Sequence, residues 1–182
     1  MSVFTNSSAS QSVEQARAYT AAILDLLGDR PPLDVLRATP GAVRAAVAGL
    51  SEAQLSAREA PGKWSTRHVV RHLADSEIVW GWRLRLVLAQ DRPPLTGYDQ
   101  DLWADRLRYR DARLADSLAT FAALRTANLR LVRSTSAADM QRVGVHTERG
   151  EESVAHMLKL YAAHDLVHLR QIERIKKAVG AG

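Results

Sequence analysis

The sequence predicts an all-α protein, an antiparallel four-helix bundle with one or two long crossover connections. Long stretches carry apolar residues at three- and four-residue steps, which is the period of a helix face packed on a core. Proline and glycine interrupt these stretches, and only one short segment alternates in the manner of a strand. The chain has 182 residues, which is enough to bury one core, so we expect a single domain.

The composition excludes several classes of protein. Residues 1–12 are rich in serine and are predicted to be a disordered tail, followed by one helical domain over residues 13–182. The tail has no basic start and no apolar run, so no signal peptide is predicted. No apolar run approaches the roughly 20 residues that span a bilayer. The absence of cysteine excludes disulfides, cysteine-bound zinc and a protein thiol nucleophile. A soluble cytoplasmic protein without membrane partners is expected.

Two helical stretches follow the tail. The first ends at Gly28, before the Pro31-Pro32 pair. Its apolar stripe consists of Ala16, Tyr19, Ile23 and Leu27. The run LDVLRATPGAVRAAVAGL is also predicted to be helical, with a break near Pro40 and Gly41 because proline lacks the backbone N–H of a helix interior.

A long central helix is predicted from about Thr66 to Gln90. It follows the loop EAPGKWS, in which Pro61-Gly62 is a strong break and Ser65 is a suitable N-cap. Its inward stripe is apolar except at three positions. These are His72, Ser76 and Arg83.

Three further elements complete the prediction. The loop DRPPLTGYDQ and a short helix DLWADRL precede an amphipathic helix from about Ala112 to Arg133. In VGVHTERGEES the valines alternate before an Arg-Gly turn, which predicts a small hairpin that must pack on the bundle to be stable. Ser153 then caps a last helix that runs to about Val179.

Three histidines on these inward stripes indicate a metal site. His164 and His168 are spaced i, i+4 and therefore project from the same face of the last helix. Together with His72 from a facing helix, they can hold a divalent metal and leave a coordination position open. If the three imidazoles were buried without a shared partner, each unpaired nitrogen would cost roughly a few kcal/mol. Three separately hydrogen-bonded core histidines are the alternative.

The other histidines are expected outside this site. His68 forms a second His-x-x-x-His pair with His72, so a four-histidine site is possible. Because Ser65 as N-cap places His68 in the first helical turn, we expect it to stabilise the helix start or to meet solvent. His146 in the hairpin and His156 in the last helix are expected at the surface or behind the ligands.

Carboxylates also flank the predicted ligands. Asp75 and Glu77 follow His72 in the chain, and either could orient a ligating imidazole or act as a general base. Asp165 adjoins His164 but points about 100° away from it around the helix. A solvated carboxylate, or one paired with a neighbouring helix, is an equally good interpretation of each.

The charge distribution does not indicate a nucleic-acid partner. The formal net charge is +5, but the arginines are interspersed with acidic residues, as in ADRLRYRDARLAD. No aromatic signature of RNA binding is present. We therefore expect solvated helix faces and a small-molecule substrate, with a phosphate-binding patch as the alternative.

Two motifs together resemble the DinB superfamily. They are the run PGKWSTRHVVRHLADSE and the later run HDLVHLRQI, and the resemblance extends from the early helices to Ile175. It implies an up-down-down-up four-helix bundle, a homodimer, and one divalent metal, nickel or zinc, held by His72, His164 and His168. The segment YDQDLW resembles the branch described as metal-dependent hydrolases. This chain departs from that branch at His68, where the pattern W-S-x-x-E has glutamate.

Three functions remain open from the sequence. The leading hypothesis is a hydrolase in which the metal activates water, with Glu77 or Asp75 as the candidate base. The resemblance also implies a transferase that uses a low-molecular-weight thiol, such as bacillithiol or mycothiol, as a metal-bound thiolate. The third hypothesis is a metal-stabilised binding or dimerisation module without catalysis. The sequence selects neither the substrate nor the metal.

Overall fold

The computed structural model describes the backbone of residues 9–180 and the side chains of Glu14 and residues 18–180. The helices are α1 (Ala9–Leu27), α2 (Pro32–Val47), α3 (Glu52–Ser56), α4 (Thr66–Ala89), α5 (Gln100–Arg106), α6 (Leu114–Arg133) and α7 (Val154–Ala178). The strands are β1 (Pro94–Leu95), β2 (Val143–His146) and β3 (Gly150–Ser153). Because α1 begins at Ala9, residues 9–12 of the predicted tail are helical, while residues 1–8 lie outside the described residues.

Four helices form the predicted bundle. Helices α2 and α4 each pack against both α6 and α7, which closes a ring of four, and α1 packs along α7 outside that ring. The chain passes from α4 to α6 through residues 90–113, a long crossover connection. The predicted fold class is therefore confirmed. Within the described part of the chain, no helix is long and apolar enough to cross a membrane.

Two apolar clusters fill the bundle, one on either side of the inward histidines. The first contains Trp80 and Met157, and the second contains Leu73 and Ile172. Burial of each such large side chain stabilises the fold by about 1.5–3 kcal/mol. Both clusters contain residues of α4 and α7. Packing on both sides of the histidines therefore fixes the orientation of the two helices that carry the candidate site.

The predicted break at Pro40 is wrong, because α2 continues through that residue. Proline cannot donate to the carbonyl four residues earlier, which is that of Leu36. In the structure, Arg125 Nη1 donates to this Leu36 oxygen at 2.7 Å. A side chain from α6 thus replaces the missing backbone donor, and tertiary packing maintains a helix that local sequence disfavours.

The predicted hairpin is present as β2 and β3, paired antiparallel with Val143 opposite Ser153. Strand β1, which the sequence pattern did not indicate, pairs parallel with β2 and sets Leu95 opposite His146. Gly144 allows this close approach, because a Cβ there would lie 2.7 Å from Leu95 Cδ1 and 2.8 Å from Val87 Cγ2. The sheet therefore brings the loop after β1 next to the hairpin.

Candidate metal centre

The structure brings the ring nitrogens of the three predicted ligands together. His72 lies in α4, and His164 and His168 lie one turn apart in α7. His164 Nε2 is 3.1 Å from His72 Nε2 and 3.0 Å from His168 Nε2. The three ligand atoms lie within 4.8 Å of one another, and among the described residues no other histidine or carboxylate joins this cluster.

The protonation states of the cluster suit a metal ion. Burial lowers the pKa of His72 and His164 well below the ordinary histidine value, and repulsion from His168 in its protonated form lowers both further. Burial also lowers the pKa of His168. All three rings are therefore neutral near pH 7, which is the form of imidazole that ligates metals.

The spacing of the nitrogens, 3.0 and 3.1 Å, is compatible with one shared ion as well as with hydrogen bonds. Two nitrogens bound tetrahedrally to one zinc ion, with bonds of about 2.0–2.1 Å, lie roughly 3.3 Å apart. Hydrogen bonds instead require one ring of each close pair to donate. The Nδ1 atoms of His72 and His164 are buried and have no partner among the described residues. A cation shared by the three Nε2 atoms would leave the protons on Nδ1.

Gln171 orients His168 and was not predicted. His168 Nδ1 lies 2.7 Å from Gln171 Oε1, an amide oxygen that can only accept. The proton of His168 is therefore on Nδ1, and its Nε2 presents a lone pair to the cluster. The signal in the sequence was the His-x-x-Gln spacing, which places the two side chains on neighbouring turns of one helix.

Two hydroxyl groups adjoin the cluster. Ser76 Oγ lies 3.3 Å from His72 Nε2 and 3.3 Å from the hydroxyl of Tyr98. Ser76 comes from the turn of α4 after His72, whereas Tyr98 comes from the loop after β1. Burial raises the pKa of Tyr98, so its hydroxyl stays protonated and can donate. On the other side, the ring of Trp64 packs on His72 with centroids 4.9 Å apart.

A cavity of about 310 Å³ opens beside the three histidines. It is lined by residues of α1, α4, α5 and α7, of the loops before α4 and α5, and of the hairpin. Among them are Trp64, Ser76, Arg83, Tyr98, His146, Arg149 and Tyr161. The volume lies at the lower end of the range for small-molecule sites, which is about 300–1,000 Å³.

The two carboxylates predicted as candidate bases do not line this cavity. Asp75 accepts from the hydroxyl of Tyr109 at 2.7 Å and pairs with Arg71 at 2.9 Å. Glu77 accepts from Arg125 at 2.9 Å and from the amide of Asn128 at 3.0 Å. Both carboxylates are therefore buried with partners of their own.

The other three histidines lie outside the cluster. His68 Nδ1 is 2.8 Å from Ser65 Oγ, so the predicted capping serine binds the ring and its side chain does not cap the helix. His156 lies in the first turn of α7. His146, expected at the surface or behind the ligands, is buried and lines the cavity.

Comparison with known proteins agrees with this architecture. The sequence model of the DinB superfamily matches residues 36–172. A relative in Bacillus licheniformis, provisionally named a metal-dependent hydrolase, is 34% identical over 149 residues, which cover 80% of this chain and 83% of the relative. A relative of the same provisional name in Oceanobacillus iheyensis is 32% identical over 138 residues, covering 76% of this chain and 80% of the relative.

A solved structure shows the same fold. YfiT from Bacillus subtilis matches with a TM-score of 0.77 and 27% sequence identity, covering 83% of this chain and 87% of that one. It is described as a probable metal-dependent hydrolase with an unusual four-helix bundle topology.

Proposed function

The chain belongs to the DinB superfamily, and we propose that it is a divalent-metal-dependent hydrolase of a small molecule. The observation that carries the proposal is the convergence of three neutral imidazoles, two buried and one half-buried, at the edge of a cavity. His72, His164 and His168 would hold the ion, which we expect to be nickel or zinc. Such an ion supplies Lewis acidity, which polarises a substrate bond and activates water near neutral pH.

The side chains around the ion would orient the reactants. Once the lone pair of His72 Nε2 is engaged, the hydroxyl of Ser76 is free to bond to Tyr98 or to a substrate atom. Tyr98 can donate to a substrate oxygen, since its hydroxyl stays protonated. The half-buried ring of Trp64, which packs on His72, would restrict access of water from that side. Neither Asp75 nor Glu77 is assigned as the base, because both are held by other partners.

The cavity supports an enzyme over a purely structural metal site. A structural site is closed, with all coordination positions filled by protein atoms. Here the described residues supply three ligand atoms, and the space beside them is large enough for a small molecule. Transfer of a low-molecular-weight thiol would use the same three ligands, so the experiment must separate it from hydrolysis.

The first test is the metal content of protein purified without an affinity tag. We expect about one nickel or zinc ion per chain in the wild type, and none in His72→Ala or His164→Ala. His156→Ala is the matched control, because this histidine of α7 lies outside the cluster and should leave the metal content unchanged. Wild-type protein that takes up neither ion when both are added would overturn the proposal.

The second test separates the two reactions on the loaded protein. A panel of chromogenic esters and amides is assayed without thiol, and bacillithiol is assayed with an electrophilic fluorophore. Metal-dependent release from an ester or amide in the absence of thiol supports hydrolysis. Consumption of thiol without any hydrolysis would contradict it and favour the transferase. The expected homodimer is checked by sedimentation of the same preparation.

A further inference from the structure

His146 carries a buried donor that has no partner in the part of the chain that the structure describes. The backbone N–H of Glu148 donates to His146 Nδ1 at 3.2 Å. Burial lowers the pKa of His146 to about 3, so the ring is neutral. Its single proton is therefore on Nε2. His146 is only 2% exposed, and its Nε2 has no hydrogen-bond partner among the described residues. An unsatisfied buried donor costs about 1–3 kcal/mol, which calls for a functional explanation.

Arg83 is a buried cation on the same cavity wall. Its side chain is 6% exposed, and it donates to the carbonyl of Thr96 and, at 3.5 Å, to the hydroxyl of Tyr161. None of the ion pairs formed by the described residues includes Arg83. A buried guanidinium normally has an anionic partner, because burial without one is costly.

The sheet brings these two groups together. Strand β1 pairs with β2 so that Leu95 lies opposite His146, and Arg83 binds the next residue, Thr96. The carbonyl of Leu95 also accepts from the backbone N–H of Thr147, at 3.1 Å. The positive charge of Arg83 acts directly on the His146 ring and lowers its pKa.

The local charges leave one unit of positive charge unbalanced in the interior of the cavity. Arg149 is paired with Glu152, and both carboxylate oxygens of Glu152 accept from it. His146 is neutral, so the group of Arg83, Arg149 and Glu152 carries one net positive charge, and the single carboxylate of Glu152 interacts with both arginines. The other charged lining residues, Lys63, Asp101 and Glu148, are half-buried or exposed and therefore more accessible to solvent.

We propose that Arg83 and His146 form a subsite for the carboxylate of a small-molecule acid whose other end reaches the three histidines. This subsite deepens the proposed function, and it rests on that function only for the reaction that the bound acid would undergo. A guanidinium and a neighbouring N–H match the two oxygens of one carboxylate, and one unbalanced charge matches a monoanion. Tyr161 spans the two parts of the site, since it bonds to Arg83 and its ring lies 6.2 Å from that of His164.

The test compares an acid with its neutral analogue. Binding of para-fluorobenzoate and para-fluorobenzamide is measured by fluorine NMR on the metal-loaded protein. We expect the acid to bind about tenfold more tightly than the amide. Arg83→Gln and His146→Gln should each weaken binding of the acid about fivefold or more, and leave that of the amide unchanged. Arg85→Gln is the matched control, because Arg85 binds Gly81 and Asn128 and does not line the cavity.

The metal-free variant His164→Ala separates this subsite from the metal. We expect it to retain the preference for the acid, which would show that the carboxylate does not bind to the ion. Loss of the preference in His164→Ala, or its persistence in both Arg83→Gln and His146→Gln, overturns the inference while leaving the hydrolase proposal intact. Equal binding of acid and amide to the wild type also overturns it. If Arg83→Gln does not fold by circular dichroism, His146→Gln decides.

Discussion

Arg125 donates to both carboxylate oxygens of Asp165, at 2.6 and 3.0 Å, although 40 residues separate them in the chain. The same guanidinium binds Glu77 in α4 and the carbonyl of Leu36 in α2. Because Arg125 lies in α6 and Asp165 in α7, this one side chain connects all four helices of the bundle. Asp165 adjoins His164, so the network also fixes the helix that carries two candidate ligands.

Removal of this cation should strongly destabilise the fold. In Arg125→Met, two buried carboxylates and a buried carbonyl lose their donor, and we expect a loss of about 3–5 kcal/mol in the free energy of unfolding. The measurement is urea denaturation of the metal-free protein. Arg174→Ala is the control: its pair with Glu59 is largely exposed on the Arg174 side, so its loss should cost about 0–1 kcal/mol. Similar losses in both variants would contradict the prediction.

A methyl group at Gly81 should disturb the contact between α4 and α6. A Cβ there would lie 2.6 Å from Asn128 Oδ1 and 2.9 Å from its Nδ2, and Asn128 also binds Glu77. We expect Gly81→Ala to lower the free energy of unfolding by about 1–3 kcal/mol.

Gly41→Ala in α2 provides the opposite case. A Cβ at Gly41 has no neighbour within 4 Å, and alanine favours the helix by up to about 1 kcal/mol. Thermal unfolding of the two variants should therefore shift in opposite directions from the wild type. A stable Gly81→Ala protein would show that Asn128 can move without cost.

Gln171 should influence metal affinity without binding the ion. In Gln171→Leu, His168 loses the acceptor that fixes its proton on Nδ1. We expect the dissociation constant for zinc to rise about 10–100-fold, measured by competition with a chromogenic chelator. Glu173→Gln, an exposed neighbour in α7, should leave the affinity unchanged. An unaltered constant in Gln171→Leu would exclude the orienting role.

Because His146 is neutral in the folded protein, the free energy of unfolding should depend on pH. Its pKa in the folded protein is about 3, mainly because of burial, with Arg149 and Arg83 lowering it and Glu152 opposing them. The pKa of histidine in the unfolded chain is about 6.5. Between the two pKa values the unfolded state therefore binds one proton more than the folded state. The contribution of His146 is complete above the pKa of the unfolded chain and is lost progressively as the pH falls toward about 3.

The measurement is the free energy of unfolding at about pH 7.5 and about pH 5, on either side of the pKa of unfolded histidine. We expect His146 to account for a loss of about 1 kcal/mol between them, after screening by solvent. His146→Gln should show a correspondingly smaller difference between the two conditions. An equal difference in wild type and variant would mean that His146 takes up a proton at the lower pH in the folded state as readily as in the unfolded state.

Much of the candidate site was predictable, because its ligands lie on helices. The i, i+4 spacing of His164 and His168 and the position of His72 on an apolar stripe were sufficient to bring the three rings together. Ser76 and Arg83 lie on the same inward stripe, but the groups that come from outside the helices could not be predicted. Tyr98 and His146 reach the cavity from a crossover loop and a hairpin, whose approach depends on the pairing of β1 with β2 and has no periodic signal in the sequence.

The sequence by itself determined the helices, the hairpin and the inward direction of the three histidines, because the phase of an apolar stripe is a local property of the chain. Only the tertiary structure decided which polar groups meet. Asp75 and Glu77 lie beside the stripe that contains His72, and packing against Arg71 and Arg125 directs both away from the cavity. The direction of each carboxylate depends on contacts between residues that are distant in the chain, because every buried polar group must find its own hydrogen-bond partner.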